Sequence, residues 1–165
     1  MATQTEPPVA RETDDRPVEP VDYLKLNVAY GTLLTALVIA TRDRTRSDPI
    51  TTREMVPIGA ATFALAKVVA REKIGSWVRD PFVEVQDGER RPRGSGLRRA
   101  VGELVTCTRC VGAWSALTVV GVRMVDPAAG RTFTNVLAAS AANDWLQSSF
   151  KWLCAQTNRA EDGTP

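Results

Sequence analysis

Two cysteines stand three residues apart in GELVTCTRCVGAW, Gly102 to Trp114, in a chain that contains no histidine. A thiol pair at that spacing can clasp a metal, cycle between dithiol and disulfide, or simply pack where a helix begins. Zinc takes four ligands in tetrahedral array. Cys107 and Cys110 would supply two of them, Cys154 is the remaining thiol, and Glu103 is a carboxylate on the same stretch. Three thiolates with Glu103, or two cysteine pairs across a dimer, would complete such a site. A redox role rests on different physics: the start of a helix lowers a thiol's pKa, and Arg109 lies between the two cysteines in sequence. No βαβ pattern surrounds the pair, so a thioredoxin-type enzyme is not indicated. The third reading is structural: small, weakly polar side chains packed where an amphipathic segment turns into an apolar one.

A second group of polar residues interrupts an apolar stretch. Asp144 lies beside Asn143 and close to Gln147, and a carboxylate buried there needs a cationic partner or it neutralises. Lys67 or Arg79 would serve. Asn143, Asp144, Gln147 and Lys67 then form a polar clamp between helices; a proton or solute pathway would need more such groups. Gly59, Ala60, Ala64, Ala138 and Ala142 suit close helix packing and equally suit a homo-oligomer. Hydrolases that need Ser and His are excluded by the missing histidine, and no P-loop, GxGxxG, HExxH or EF-hand pattern occurs. These absences lean away from an enzyme, although carboxylate and Ser/Lys chemistries stay open.

The elements that must position these residues follow from length and patterning. One domain fits 165 residues without internal repeats. With 21 basic and 19 acidic side chains the formal charge is only +2, so a nucleic-acid partner is not expected. An odd number of cysteines and no apolar leader argue against a secreted disulfide scaffold. Residues 1–21 are acidic and proline-rich and read as a disordered tail, 22–155 as a helical membrane domain, and 156–165 as a second tail. Four apolar runs organise the middle: Leu24 to Ala40, Met55 to Ala70, Cys110 to Val125 and Thr132 to Ala155. The expected fold is all-α, four hydrophobic transmembrane helices with an amphipathic interfacial helix and a basic loop between the second and third.

Each run sits near the lower limit of the roughly 17 to 25 apolar residues that span a bilayer. Lys67, Arg123 and Asp144 oppose insertion, but the two bases lie near helix ends and can snorkel. The first run favours it, because it is apolar all round where a soluble bundle helix would give one face to water. With the amino terminus inside, the inner loops take 13 bases and the outer loops 6, which expects a multi-pass protein of the cell membrane with both termini cytoplasmic. Tyr23, Trp77, Trp114 and Trp152 then fall at inner helix ends, where amphipathic rings favour the interface. A soluble helical binding module is the alternative architecture.

Between the second and third runs, REKIGSWVRDPFVE is expected to continue the second helix as a charged, partly amphipathic segment at the membrane surface until Pro81 stops it. QDGERRPRGSG reads as a flexible basic loop. GLRRAVGELVT places Leu97, Val101, Leu104 and Val105 on one helical face, a short amphipathic helix leading into CTRC. REKIGSWVRDPFVE, the Gly-rich basic loop, AVGELVTCTRCVGAW, DPAAGR and AANDWLQ together resemble the bacterial and phage family known as domain of unknown function 1360, over roughly Leu24 to Leu153. The matching positions are Arg71, Arg79, Pro81, Phe82, Gly102, Glu103, Cys107, Cys110, Trp114, Asp144 and Gln147. The resemblance implies a small integral membrane protein without an established activity, some members carrying a sporulation label. Arg71, Trp77, Arg79, Phe82 and Trp114 are then expected at the interface. One departure stands out: where the family commonly has proline after the first cysteine, this chain has Thr108. The function expected is structural, an integral membrane scaffold contacting the lipid bilayer, further copies of itself or other membrane proteins. A thiol-redox or zinc-binding role at the CxxC turn is the alternative, with zinc the sole cofactor considered.

Overall fold

A computed structural model describes residues 19–86 and 88–162, so the expected amino-terminal tail lies outside the described residues up to 18. The chain is mainly helical, as its patterning requires. Helix α1 (Pro20–Ala40) opens with proline in its first turn, where the early N–H groups have no intrahelical partner to lose. It is followed by a short helix α2 (Arg42–Ser47) in the TRDRTR segment and by α3 (Thr52–Ala70). The start of α3 is fixed by Thr51, whose N–H donates to the Glu54 carboxylate at 2.9 Å, a reciprocal cap that explains why the helix begins before the apolar run does.

Helix α6 (Thr108–Val125) and helix α7 (Pro127–Asp162) complete the bundle, and α3 packs on both while they pack on each other. The core is built at that triple contact from Ile58, Ala61 and Val119, with Leu65, Phe133 and Leu137 against them. Small residues bring the backbones together: Ala61, Ala64, Ala66 and Ala70 are all buried along α3, and Ala141 along α7. Of the small residues singled out in the sequence, Ala64 lies in this seam, whereas Gly59 and Ala142 are exposed.

The fourth apolar run starts at Thr132, but α7 begins earlier, in the DPAAG segment. The Asp126 carboxylate accepts from the N–H groups of Ala128 and Ala129, both at 3.0 Å, and Pro127 occupies the first helical position. Gly130 makes the tight reversal from α6 possible, since a Cβ there would lie 2.3 Å from Arg123 Cα. Helix α7 runs 36 residues, roughly 54 Å at 1.5 Å per residue, and continues through residues 156–162.

The segment expected as a flexible basic loop is an ordered hairpin. Strand β1 (Val83–Gln86) pairs antiparallel with β2 (Glu89–Pro92), Val83 opposite Pro92 and Gln86 opposite Glu89. Gly88 sits at φ +81°, the left-handed conformation a two-residue hairpin loop demands, so the Asp-Gly pair read as a loop signal is a hairpin signal. A short helix α4 (Ser76–Arg79) precedes the hairpin, and the amphipathic helix follows it as α5 (Gly96–Thr106), which meets α6 at 86°.

Among the described residues, α1 alone is a helix long and apolar enough to cross a membrane; the bent α5–α6 pair adds a second if it is taken as one span. Four separate spans are therefore more than length and composition provide. Helix α3 holds Arg53, Glu54 and Lys67, α6 holds Arg109 and Arg123, and α7 is polar along much of its length. Helix α1 stands apart from the triple-helix core: it packs mainly on α5 and lightly on α6, and Asp22 is its only buried residue.

Candidate functional site

The cysteine turn is made by a single extended residue. Cys107, at φ −95° and ψ 107°, ends α5 and caps α6 at once, so the chain bends sharply with no intervening loop. A proline at position 108 would favour that extended conformation in its predecessor. Thr108 occupies the first position of α6 with the bend intact. Cys110 lies one turn further on, donating from its backbone N–H to Cys107 Sγ at 3.4 Å and from its own thiol at 2.9 Å. These two donations hold the Cys107 thiol below its ordinary pKa, the thiol–thiol contact contributing most and the backbone N–H next. Cys107 is partly exposed and Cys110 exposed, so the more acidic sulfur remains reachable.

Both sulfurs line a cavity of about 630 Å³, open on one side, between α1, α5 and α6. That volume falls within the range of small-molecule sites. Tyr30 of α1 and Trp114 of α6 meet edge to face on its wall, ring centroids 5.3 Å apart. Tyr23 donates its hydroxyl to the Glu103 carboxylate, tying the first turn of α1 to α5, and Arg99 lies 3.7 Å from the same carboxylate. Helical periodicity alone does not reveal this pairing, because Tyr23 and Glu103 are 80 residues apart.

The expected zinc donors are not gathered in one chain. Among the described residues no group of three or more His, Cys, Asp or Glu side chains could hold a metal ion. Glu103 and the two turn cysteines share the cavity, but the Glu103 carboxylate is engaged by Tyr23, and Cys154 is exposed on the far part of α7. The donor set therefore fits a thiol pair better than a tetrahedral metal clasp.

Asp144 finds the lysine. Lys67 Nζ lies 2.9 Å from Asp144 Oδ2 and 3.1 Å from Glu72 Oε1, joining α3 to α7 near the end that also carries the cysteine turn. Asn143 and Gln147 are exposed on α7. Lys67 also lines two open grooves, one with Phe63, Trp145 and Trp152, the other with Arg71 and Arg109. Of the residues expected at an interface, Trp77 is 76% exposed and Phe82 half-buried. Arg79, grouped with them, is buried: its guanidinium donates to the carbonyls of Val69 and, at 2.7 Å, of Glu72, closing the carboxyl end of α3. Gly75 leaves room for that arrangement, as a Cβ there would come within 2.2 Å of Val68 O.

One constellation lies at the opposite end of the bundle and was not singled out in the sequence. Arg123, 3% exposed, pairs with Glu54 at 2.8 Å and with Asp48 at 3.0 Å, joining α6 to α3 and to the segment after α2. The signal was present: an arginine inside an apolar run is tolerated when it is paired.

A family model described as a protein of unknown function, DUF1360, matches residues 58–150. No curated protein and no solved structure matches this chain.

Proposed function

Because the chain belongs to the DUF1360 family, whose description assigns no activity, we propose its role from its own surface: a multi-pass membrane protein that acts by interaction rather than by turnover. The observation behind this is α1. Leu24, Val28, Leu33, Val38 and Ile39 are each more than half exposed, although they belong to the most apolar helix of the chain. In water those side chains would forfeit about 1.5–3 kcal/mol each of burial, whereas a hydrocarbon surround supplies it. The far part of α7 likewise leaves Trp145, Leu146, Phe150, Trp152 and Leu153 exposed. In this reading α1, α3, α6 and α7 cross alternately with both termini cytoplasmic. Helix α5 and the β1–β2 hairpin lie across the inner end, and the exposed strip of α7 meets a second copy or another membrane protein. Reporter fusions at each terminus test it, one active only in the cytoplasm and one only outside it. Cytoplasmic signals at both ends are expected; an external signal at one end would overturn the four-span arrangement.

A second reading is favoured by one specific feature, the Cys107–Cys110 approach at 2.9 Å beside a cavity. In it the turn is a reversible dithiol, with Cys107 the attacking sulfur and Cys110 the resolving one.

A further inference from the structure

The geometry points to the α1–α5–α6 cavity as the binding site for a membrane-soluble quinone that accepts two electrons from the Cys107–Cys110 pair. The inference rests on the dithiol reading above and names its oxidant. Three observations converge on that chemical class. The sulfurs line the cavity and already touch at 2.9 Å, so forming a disulfide needs little movement but does need a two-electron acceptor within reach. The walls are largely apolar, with Tyr30 and Trp114 forming an edge-to-face corner against which an aromatic ring can pack and Leu26 and Leu104 beside them. The few polar groups, Asn27 and the Tyr23–Glu103 pair, are of the kind that can hydrogen-bond ring oxygens and exchange protons with them. One wall is α1, whose outward side chains are apolar and exposed, so a ligand with an aliphatic tail can arrive from the lipid side.

The step balances without any further reactant. Cys107 Sγ adds as thiolate to a ring carbon, forming a C–S bond, and the ring oxygen conjugated to that carbon takes the proton the thiol gave up. Cys110 Sγ then attacks Cys107 Sγ; the S–S bond forms, the C–S bond breaks, its electron pair returns to the ring, and the Cys110 proton passes to the second ring oxygen. Two thiols lose two electrons and two protons, and the quinone leaves as quinol.

The test uses the full chain, reduced and held in lipid nanodiscs without oxygen, mixed with a decyl-tailed benzoquinone whose ring positions are all substituted to prevent lasting arylation. A small water-soluble aromatic disulfide serves as the reference oxidant. Formation of one quinol per chain with loss of two thiols is expected, abolished by Cys107→Ser and retained in Cys154→Ser. Ala113→Phe and the bulkier Ala113→Trp fill the cavity from the α6 wall at an exposed position, and each should slow the quinone reaction by roughly tenfold or more while leaving the water-soluble oxidant's rate within about twofold. Reaction with the aromatic disulfide but none with the quinone would overturn the quinone assignment and leave the dithiol reading standing. Equal quinone rates in the filled variants would overturn the cavity's part. If neither oxidant closes the pair, the dithiol reading itself falls.

Discussion

At the scale of single residues, the turn chemistry gives the sharpest expectations. Cys107 accepts hydrogen bonds from the N–H and thiol of Cys110, and both stabilise a thiolate. It should therefore alkylate faster than Cys154 at neutral pH, with its inflection below that of an ordinary thiol. Cys110→Ala should move that inflection back upward. Timed alkylation with mass-spectrometric readout decides it; equal rates at Cys107 and Cys154 would remove the argument for a tuned sulfur. Arg79 is a different case, a buried guanidinium serving the backbone. Its loss leaves the carbonyls at the end of α3 unsatisfied, so Arg79→Ala should cost about 2–4 kcal/mol in thermal or denaturant unfolding, with Arg79→Lys recovering only part. Glu54 and Asp48 together answer the buried Arg123, so Glu54→Gln should cost about 1–3 kcal/mol in unfolding. Types and spacing made Asp144 with Lys67 and the cysteine pair legible as clusters. The Arg79 and Arg123 partners were not, because a buried base declares its partner only through packing: main-chain carbonyls for one, carboxylates on other segments for the other.

At the scale of elements, close approach explains two of the sharpest constraints. Gly102 on α5 faces the hairpin, where a Cβ would lie 2.5 Å from Phe82 O, an atom already accepting from the Arg93 N–H at 2.7 Å. Gly102→Ala should therefore push α5 off the hairpin and cost about 1–3 kcal/mol. Gly112 in α6 has open space around its Cβ position, so Gly112→Ala should raise stability by about 0.5–1 kcal/mol through helix propensity alone. Opposite signs in paired melts check the packing; two losses of equal size would contradict it. The bounds of α5 and the carboxyl end of α6 were readable from apolar period and breakers, since those signals act within a few residues. The expected continuation of the second helix to Pro81 fails, because α3 ends at Ala70 and a 3-10 turn (Lys73–Gly75) and the short α4 follow, held by Arg79 on the carbonyls of Val69 and Glu72. The hairpin was missed because Gly, Pro and Arg in ERRPRGSG outweighed the Asp-Gly turn signal, and the start of α7 was missed because Asp126 and Pro127 serve equally as a turn and as a helix cap.

At the scale of the whole molecule, two parts divide the work. Helices α3, α6 and α7 bury a narrow, alanine-rich seam that holds Lys67, Asp144 and Arg123 in ion pairs, while α1 and the far end of α7 leave large apolar side chains uncovered. Apolar periodicity located these helices, but it does not separate a helix buried by its neighbours from one buried by lipid. An alanine seam shortens the apolar signal of α3 and α6 below that of a lone span. If the protein is the membrane protein proposed above, this uncovered surface faces lipid. An alkaline carbonate wash of membranes from cells expressing the tagged full chain, followed by assay of pellet and supernatant, tests that. Retention in the pellet is predicted, with partial release when Leu33 and Leu34 are both changed to Arg, since each centrally placed charge opposes insertion by about 2.5–3.5 kcal/mol. Complete release of the unaltered protein would contradict the membrane assignment and return the exposed faces of α1 and α7 to a role in binding another protein.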